Sequence, residues 1–247
     1  MTSRPLVVLL IVSLLVAESL TWLYAHRFAE FEVAYRVFHL MQMLLLIVAA
    51  ALACRQVEAK PWLALRWLIL AGLVFSFGGD VINSFLFDLS HIIEPQTLLS
   101  VVPFTIAHCL YITVFWRLGR GGQQPLYGAL VVLTLLIWPV LAASLWLILV
   151  DYEAGPLLKW LSLGYAHMVV LMALLSLWPL KSLGLKAWMT AAGGLIFLLS
   201  DSFFGAWLTA GQARPLWVSQ VVWVTYFLAQ LCIMHVPLIG KQTPAVE

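Results

Sequence analysis

The chain has 247 residues, of which 64% are hydrophobic and only 10% are charged, and its formal net charge at pH 7 is +2. Its mean hydropathy is +1.02. Too few polar residues are present to cover the surface of a soluble domain, and so small a net charge does not indicate a nucleic-acid partner. The composition therefore predicts a polytopic membrane protein of the all-α class.

Eight apolar stretches are long enough to cross a bilayer, since a spanning helix needs about 20 apolar residues. They are Pro5–Tyr24, Tyr35–Cys54, Trp62–Asn83, Leu98–Trp116, Leu126–Val150, Pro156–Leu177, Ala187–Leu208 and Trp217–Val236. Residues 1–17 also have the pattern of a signal peptide, but the apolar stretch resumes through Leu20–Tyr24, which favours a span. Because the connections are short, residues 1–240 are predicted to form one transmembrane bundle, followed by a disordered cytoplasmic tail at 241–247.

Charges in the connections predict the orientation of this eight-helix bundle. Nine cationic residues lie on the side of the N-terminus and the even-numbered connections: Arg4, Arg55, Lys60, Arg66, Arg117, Arg120, Lys181, Lys186 and Lys241. Four lie on the other side: Arg27, Arg36, Lys159 and Arg214. Since Lys and Arg are enriched on the cytoplasmic side, both termini are predicted to be cytoplasmic. The short connections indicate a bacterial inner membrane.

Two aspartates lie inside predicted spans, where a carboxyl group costs several kcal/mol or more and usually marks a functional site. Asp80 follows Gly78–Gly79 in the third span, and Asp201 follows Ser200 in the seventh. Both fall in the outer half of the membrane, and no Lys or Arg is present at their depth. Two buried acids in one membrane protein indicate proton chemistry or cation handling.

Other polar residues share this depth, from the membrane centre to the outer leaflet: Glu18, His39, Gln42, His108, His167 and Tyr226. Spacings of three or four residues place polar groups on common helix faces. These faces are Ser76–Asp80–Asn83, His108–Tyr111 and Ser219–Trp223–Tyr226–Gln230. They are predicted to face the bundle interior or a water cavity. Structural explanations remain open for three of them: Glu18 as an interhelical acid, His39 as an interfacial residue and His167 as a donor to a backbone carbonyl.

No motif of a soluble enzyme is present: the chain lacks a GxSxG elbow, an HExxH zinc motif and a P-loop. The three cysteines, Cys54, Cys109 and Cys232, match no metal motif and are not expected to form a disulfide. The four residues with zinc-binding chemistry lie on different predicted helices, so their spacing neither supports nor excludes a metal site; they are Asp80, His108, His167 and Asp201.

Four short motifs occur in order along the chain: Phe77–Asp80, Phe104–Tyr111, Phe197–Ser202 and Thr225–Gln230. In these motifs and their spacing the chain resembles the YhhN-type lysoplasmalogenase family of eight-span membrane proteins. The resemblance implies hydrolysis of the vinyl ether of a lysoplasmalogen within the bilayer, giving a fatty aldehyde and a glycerophospho-base. It implies no metal or other cofactor, and it does not give the oligomeric state.

On this interpretation Asp80 and Asp201 carry the acid–base catalysis. A low dielectric favours the protonated form of one carboxyl group, and two neighbouring acids share protons unequally. Residues predicted to bind the lysophospholipid are Glu18, Asn83, His108, Tyr111, Ser200, Tyr226 and Gln230. The alternative from a different class is a proton-coupled transporter of small molecules or lipids. A metal-dependent membrane hydrolase and a lipid-binding scaffold also remain possible readings.

Overall fold

The computed structural model of the chain describes residues 4–27, 32–55, 60–93, 96–120, 127–149, 155–209 and 216–236. Within these ranges the chain is helical and contains no strand, so the predicted all-α class is confirmed for them. The predicted tail at 241–247 lies outside the described residues, and its disorder stays a prediction.

Each predicted span overlaps one long helix. The long helices in the described ranges are α1 (Arg4–Arg27), α2 (Glu32–Arg55), α3 (Lys60–Asn83), α4 (Thr97–Arg120), α5 (Tyr127–Leu149), α6 (Pro156–Ser176), α8 (Trp188–Thr209) and α9 (Leu216–Ile233). Between α6 and α8 lie a short helix, α7 (Pro179–Leu183), and a 3-10 turn, Gly184–Ala187. Gly184 has a φ of 60°, a left-handed conformation that favours glycine and lets the chain reverse there.

Length and composition identify five stretches of the described chain that are able to cross a membrane: Val33–Arg55, Ala64–Asn83, Thr97–Arg120, Gly128–Leu149 and Pro156–Thr209. The last covers both α6 and α8. Two further apolar helical stretches, Val12–Leu23 and Trp217–Ile233, are shorter than a typical span. The chain is therefore a membrane protein, whereas the count of eight spans and the cytoplasmic position of both termini are not established by these features.

Helix contacts close a ring around the middle of the bundle. Among the described residues, α1 packs on α2, α2 on α3, α3 on α4, α4 on α6, α6 on α8, α8 on α9, and α9 on α1. Helix α5 stands outside this ring against α6 and α8, and much of its surface is exposed and apolar. Such a surface is expected of a helix that faces lipid on most of its circumference.

Glycines allow the closest helix approaches. A Cβ atom added at Gly79 of α3 would lie 2.5–2.8 Å from ring carbons of Phe104 on α4. One added at Gly193 of α8 would lie 3.0–3.1 Å from atoms of α9, and Gly194 adjoins the Ser176 side chain of α6. Small residues at helix contacts are typical of membrane proteins. These glycines thus join α3 to α4, and α8 to α9 and α6; they do not join the two aspartate-bearing helices directly.

Gly79→Ala should destabilise the protein because its methyl group would collide with the Phe104 ring. Overpacking of this kind costs about 1–3 kcal/mol. Gly164→Ala on α6 is the matched control, since a Cβ there meets nothing within 4 Å. Thermal unfolding of the detergent-purified variants measures the difference. Equal midpoints for the two alanine variants would contradict the close α3–α4 contact.

Candidate active site

A cavity of about 650 Å³ lies at one end of the bundle. Its lining comes from the first turns of α2, α4, α6 and α9 and from the last turns of α3, α5 and α8. Both intramembrane aspartates, Asp80 and Asp201, contribute to this lining. The two carboxyl groups on distant parts of the chain therefore share one site.

Asp80 is held by a tyrosine from the last helix. The Tyr226 hydroxyl donates a hydrogen bond of 2.8 Å to Asp80 Oδ2, joining α9 to α3. The Tyr226 ring packs edge-on against Phe104 of α4 and Phe197 of α8, with centroids 6.1 Å and 5.5 Å away. Because these rings leave the phenol little freedom, its hydroxyl remains aimed at the carboxyl group.

Asp201 has an equivalent tyrosine partner and also a histidine. The Tyr165 hydroxyl of α6 donates a hydrogen bond of 2.8 Å to Asp201 Oδ2. His108 Nε2 lies 3.5 Å from the same oxygen. The other ring nitrogen, Nδ1, is 2.6 Å from the Phe104 carbonyl oxygen, which is an acceptor only, so Nδ1 carries a hydrogen. His108 thus presents Nε2 to Asp201 as a group able to exchange a proton with it.

A closed layer lies beneath the two aspartates. His108, Tyr111, Phe197 and Gln230 are fully buried and do not line the cavity; on α4 and α9 they lie one turn or more beyond the lining residues Phe104 and Tyr226. Within this layer the Tyr111 hydroxyl donates a 2.8 Å hydrogen bond to Gln230 Oε1, which joins α4 to α9. On α4 and α9 the cavity lining ends at this layer.

Aromatic and polar side chains from α2 and α9 form a second cluster beside the cavity. His39 stacks on Trp223 with ring centroids 4.2 Å apart, and its Nε2 lies 3.9 Å from Glu18 Oε1. The Trp223 indole donates a 2.8 Å hydrogen bond to Gln42 Oε1 and packs at 5.6 Å against Tyr226. Trp223 therefore positions the tyrosine that holds Asp80.

The end of α3 forms a polar part of the cavity wall. An Arg36 guanidinium N–H donates a 2.9 Å hydrogen bond to the Ser84 carbonyl, and the guanidinium lies 5.8 Å from the Phe85 ring centroid. Phe85 has a φ of 52°, which is uncommon for a residue with a large side chain and places local strain next to the cavity. Asn83 lines the cavity at the same place.

A family model matches residues 34–236, which covers most of the chain and every residue of the cavity lining. The chain belongs to the YhhN family. No curated protein and no solved structure matches it. The resemblance drawn from the four short motifs is thereby confirmed at the level of the family.

The predicted site residues of this YhhN protein line the cavity, belong to the closed layer beneath it, or lie away from both. Asn83, Ser200 and Tyr226 line the cavity together with the two aspartates. His108, Tyr111 and Gln230 belong to the closed layer beneath it. His108, which was predicted to bind the lysophospholipid, does not line the cavity: it lies one turn deeper than Phe104 and contacts the lining residues Asp201 and Tyr165.

Glu18 also lies away from the cavity lining, and its contact is with His39. His39 lines the cavity. The explanation of His39 as an interfacial residue did not predict this position. His167 places Nδ1 2.8 Å from the Leu163 carbonyl oxygen, in agreement with its structural explanation. Within the described part of the chain, no group of three His, Cys, Asp or Glu side chains is close enough to hold one metal ion.

Tyr165, the hydrogen-bond partner of Asp201, is a residue of this site that the sequence did not reveal. It is the ninth residue after the start of α6, roughly 14 Å along the helix. Tyrosines in membrane proteins concentrate at the interfaces. The depth of this tyrosine within its helix was therefore the signal in the sequence that could have identified it. The polar faces predicted on the other helices gave no information about α6.

Proposed function

We propose that this protein hydrolyses the vinyl ether bond of a lysoplasmalogen, releasing a fatty aldehyde and a glycerophospho-base. The observation that carries the proposal is the pair of carboxyl groups in one intramembrane cavity, each hydrogen-bonded to a tyrosine. Membership of the YhhN family is consistent with it.

Vinyl ethers are cleaved by acid. A protonated carboxyl group donates its proton to the alkene carbon farther from the ether oxygen, which leaves an oxocarbenium ion stabilised by the second, ionised carboxylate. Water adds to the carbon bonded to oxygen and gives a proton to that carboxylate. The hemiacetal then breaks into aldehyde and glycerol hydroxyl, and return of the proton to the first carboxyl group completes the cycle. Glycoside hydrolases likewise use one carboxyl group as the proton donor and a second as the carboxylate when they cleave an acetal.

The partners of the carboxyl groups suit these roles. A phenol O–H donated to a carboxylate stabilises its ionised form, and the effect of such a charge-assisted hydrogen bond is large where water is scarce. His108 Nε2, next to Asp201, is placed to take up or supply a proton between turnovers. No cofactor takes part in the proposed reaction.

The proposed orientation places the cavity toward the outer leaflet of a bacterial inner membrane. Eight spans with both termini in the cytoplasm put the α3–α4 connection, and with it the cavity end of the bundle, on the outer side. A lipid with one chain keeps its headgroup at the interface and its hydrocarbon chain in the bilayer. The bond between them then lies at the depth of the two aspartates.

Reporter fusions test this orientation. Reporters active only in the cytoplasm should be active at both the N-terminus and the C-terminus, because cationic residues are concentrated on that side. A reporter placed in the α3–α4 connection, after Asp88, serves as the opposite control and should be inactive. An active reporter after Asp88 would place the cavity at the cytoplasmic face instead.

Replacing either aspartate by asparagine should abolish most activity while the protein remains folded. Asparagine keeps the shape of the side chain but cannot transfer a proton, and loss of acid–base catalysis costs about 10²- to 10⁴-fold in rate. Asp88→Asn, in the exposed connection after α3, is the matched control and should behave like the wild type. The measurement is aldehyde release from a lysoplasmalogen by purified protein. A carrier or a lipid-binding scaffold would release no aldehyde even as the wild type.

Removing either phenol hydroxyl should slow the reaction less than removing a carboxyl group. Tyr165→Phe and Tyr226→Phe each delete one charge-assisted hydrogen bond of about 1.5–3 kcal/mol, which corresponds to about 10- to 100-fold in kcat. Tyr111→Phe loses a hydrogen bond to Gln230 instead and controls for deletion of a buried hydroxyl. A Tyr111→Phe defect as large as the other two would show that packing, rather than the contact with a carboxyl group, is what matters.

A further inference from the structure

The residues that line the cavity fall into two groups, which we call the polar lobe and the apolar lobe. The polar lobe is lined from α2 and the end of α3 by Arg36, His39, Asn83 and Ser84. The apolar lobe lies across the ring, between the last turns of α8 and the first turns of α6, with α5 behind them. Its lining includes Leu145, Leu149, Leu158, Leu161, Ala206 and Leu208.

The two aspartates stand at the junction of the lobes. Asp80 is on α3, three residues before Asn83 of the polar lobe. Asp201 is on α8, about one turn before Ala206 of the apolar lobe. A molecule whose reacting bond lies between the carboxyl groups would therefore extend into the polar lobe on one side and into the apolar lobe on the other.

The closed layer prevents a hydrocarbon chain from continuing straight down through the bundle. Tyr111, Phe197 and Gln230 are fully buried in that layer, and protein interiors packed in this way have no room for a further chain. A chain attached at the junction must then run sideways. The apolar lobe is the sideways path along which it meets apolar side chains.

Hydrogen bonds hold helix α5 over this path, outside the ring of helices. The Trp146 indole N–H donates to Ser162 Oγ at 3.1 Å and to the Lys159 carbonyl at 3.2 Å, and the Thr209 hydroxyl donates to the Leu149 carbonyl at 3.4 Å. These contacts hold the end of α5 against both α6 and α8. Without α5 the apolar lobe would be open to lipid between those two helices.

We infer that the apolar lobe is the binding site for the single hydrocarbon chain of the lipid, with α5 as its outer wall. This inference rests on the proposed function, since it assigns the two ends of the same substrate to the two lobes. The headgroup lies in the polar lobe and the vinyl ether lies between Asp80 and Asp201. The lobe therefore determines which chain lengths are accepted.

A bulky residue in the apolar lobe tests the assignment. Leu158→Trp narrows the lobe, so the ratio of kcat/KM for a long-chain over a short-chain lysoplasmalogen should fall. If two methylene groups of the long chain no longer fit in the lobe, this kcat/KM ratio should fall about tenfold. Leu157→Trp is the matched control: the Leu157 side chain is 58% exposed and does not line the cavity, so this variant should keep the wild-type ratio. An unchanged ratio in Leu158→Trp would overturn the assignment.

A binding experiment that needs no catalysis separates this inference from the proposed function. The probe is a lysophospholipid with a saturated ether chain that ends in a photoreactive diazirine, added to the full-length protein in nanodiscs. Adducts are expected on residues 145–149, 158–166 and 204–209. Fewer adducts are expected in Leu158→Trp than in the wild type.

Adducts confined to the polar lobe, or equally abundant in Leu158→Trp and the wild type, would overturn the chain site. Adducts in the apolar lobe without aldehyde release by the wild type would support the chain site and refute the hydrolase. Aldehyde release together with chain adducts outside the apolar lobe would support the hydrolase and refute the chain site.

Discussion

The free energy of burying carboxyl groups in a membrane protein is the constraint on which the helix arrangement depends. An unpaired carboxylate is costly in a low dielectric, and its cost falls when hydrogen-bond donors replace water. Here the donors are phenols from other helices: Tyr226 of α9 for Asp80 of α3, and Tyr165 of α6 for Asp201 of α8. Four helices from distant parts of the chain are thereby held at fixed positions around one cavity.

Helix α9 is the element that brings these constraints together. Its side chains hydrogen-bond to α2 through Trp223, to α3 through Tyr226 and to α4 through Gln230. Its backbone also accepts a hydrogen bond from Ser200 of α8 at Val222. Because one face of α9 touches both the cavity and the layer beneath it, a shift of this helix would disturb the whole site. Close contact with Gly193 limits such a shift.

The closed layer lies beneath the aspartates, on the side of the cavity away from the α3–α4 connection. Large side chains fill the middle of the bundle, and among them the Tyr111 hydroxyl donates a hydrogen bond to Gln230. The cavity that holds the carboxyl groups lies at the end of the bundle where α3 ends and α4 begins. A site with this form suits chemistry on a molecule that lies partly in the interface and partly in the bilayer.

The sequence by itself determined the all-α class, the membrane environment, the helix positions and the family, because apolar segment length and short motifs are local properties. It also identified Asp80 and Asp201, since a carboxyl group within an apolar segment is conspicuous without any knowledge of contacts. Tertiary structure alone decided which residues surround them. Helical spacing gives the face of a residue but not the neighbour of that face, so Tyr165 went unnoticed and the position of His108 outside the cavity lining was not predicted. The closed layer and the two lobes likewise arise from packing among α3, α4, α6, α8 and α9, which no single segment encodes.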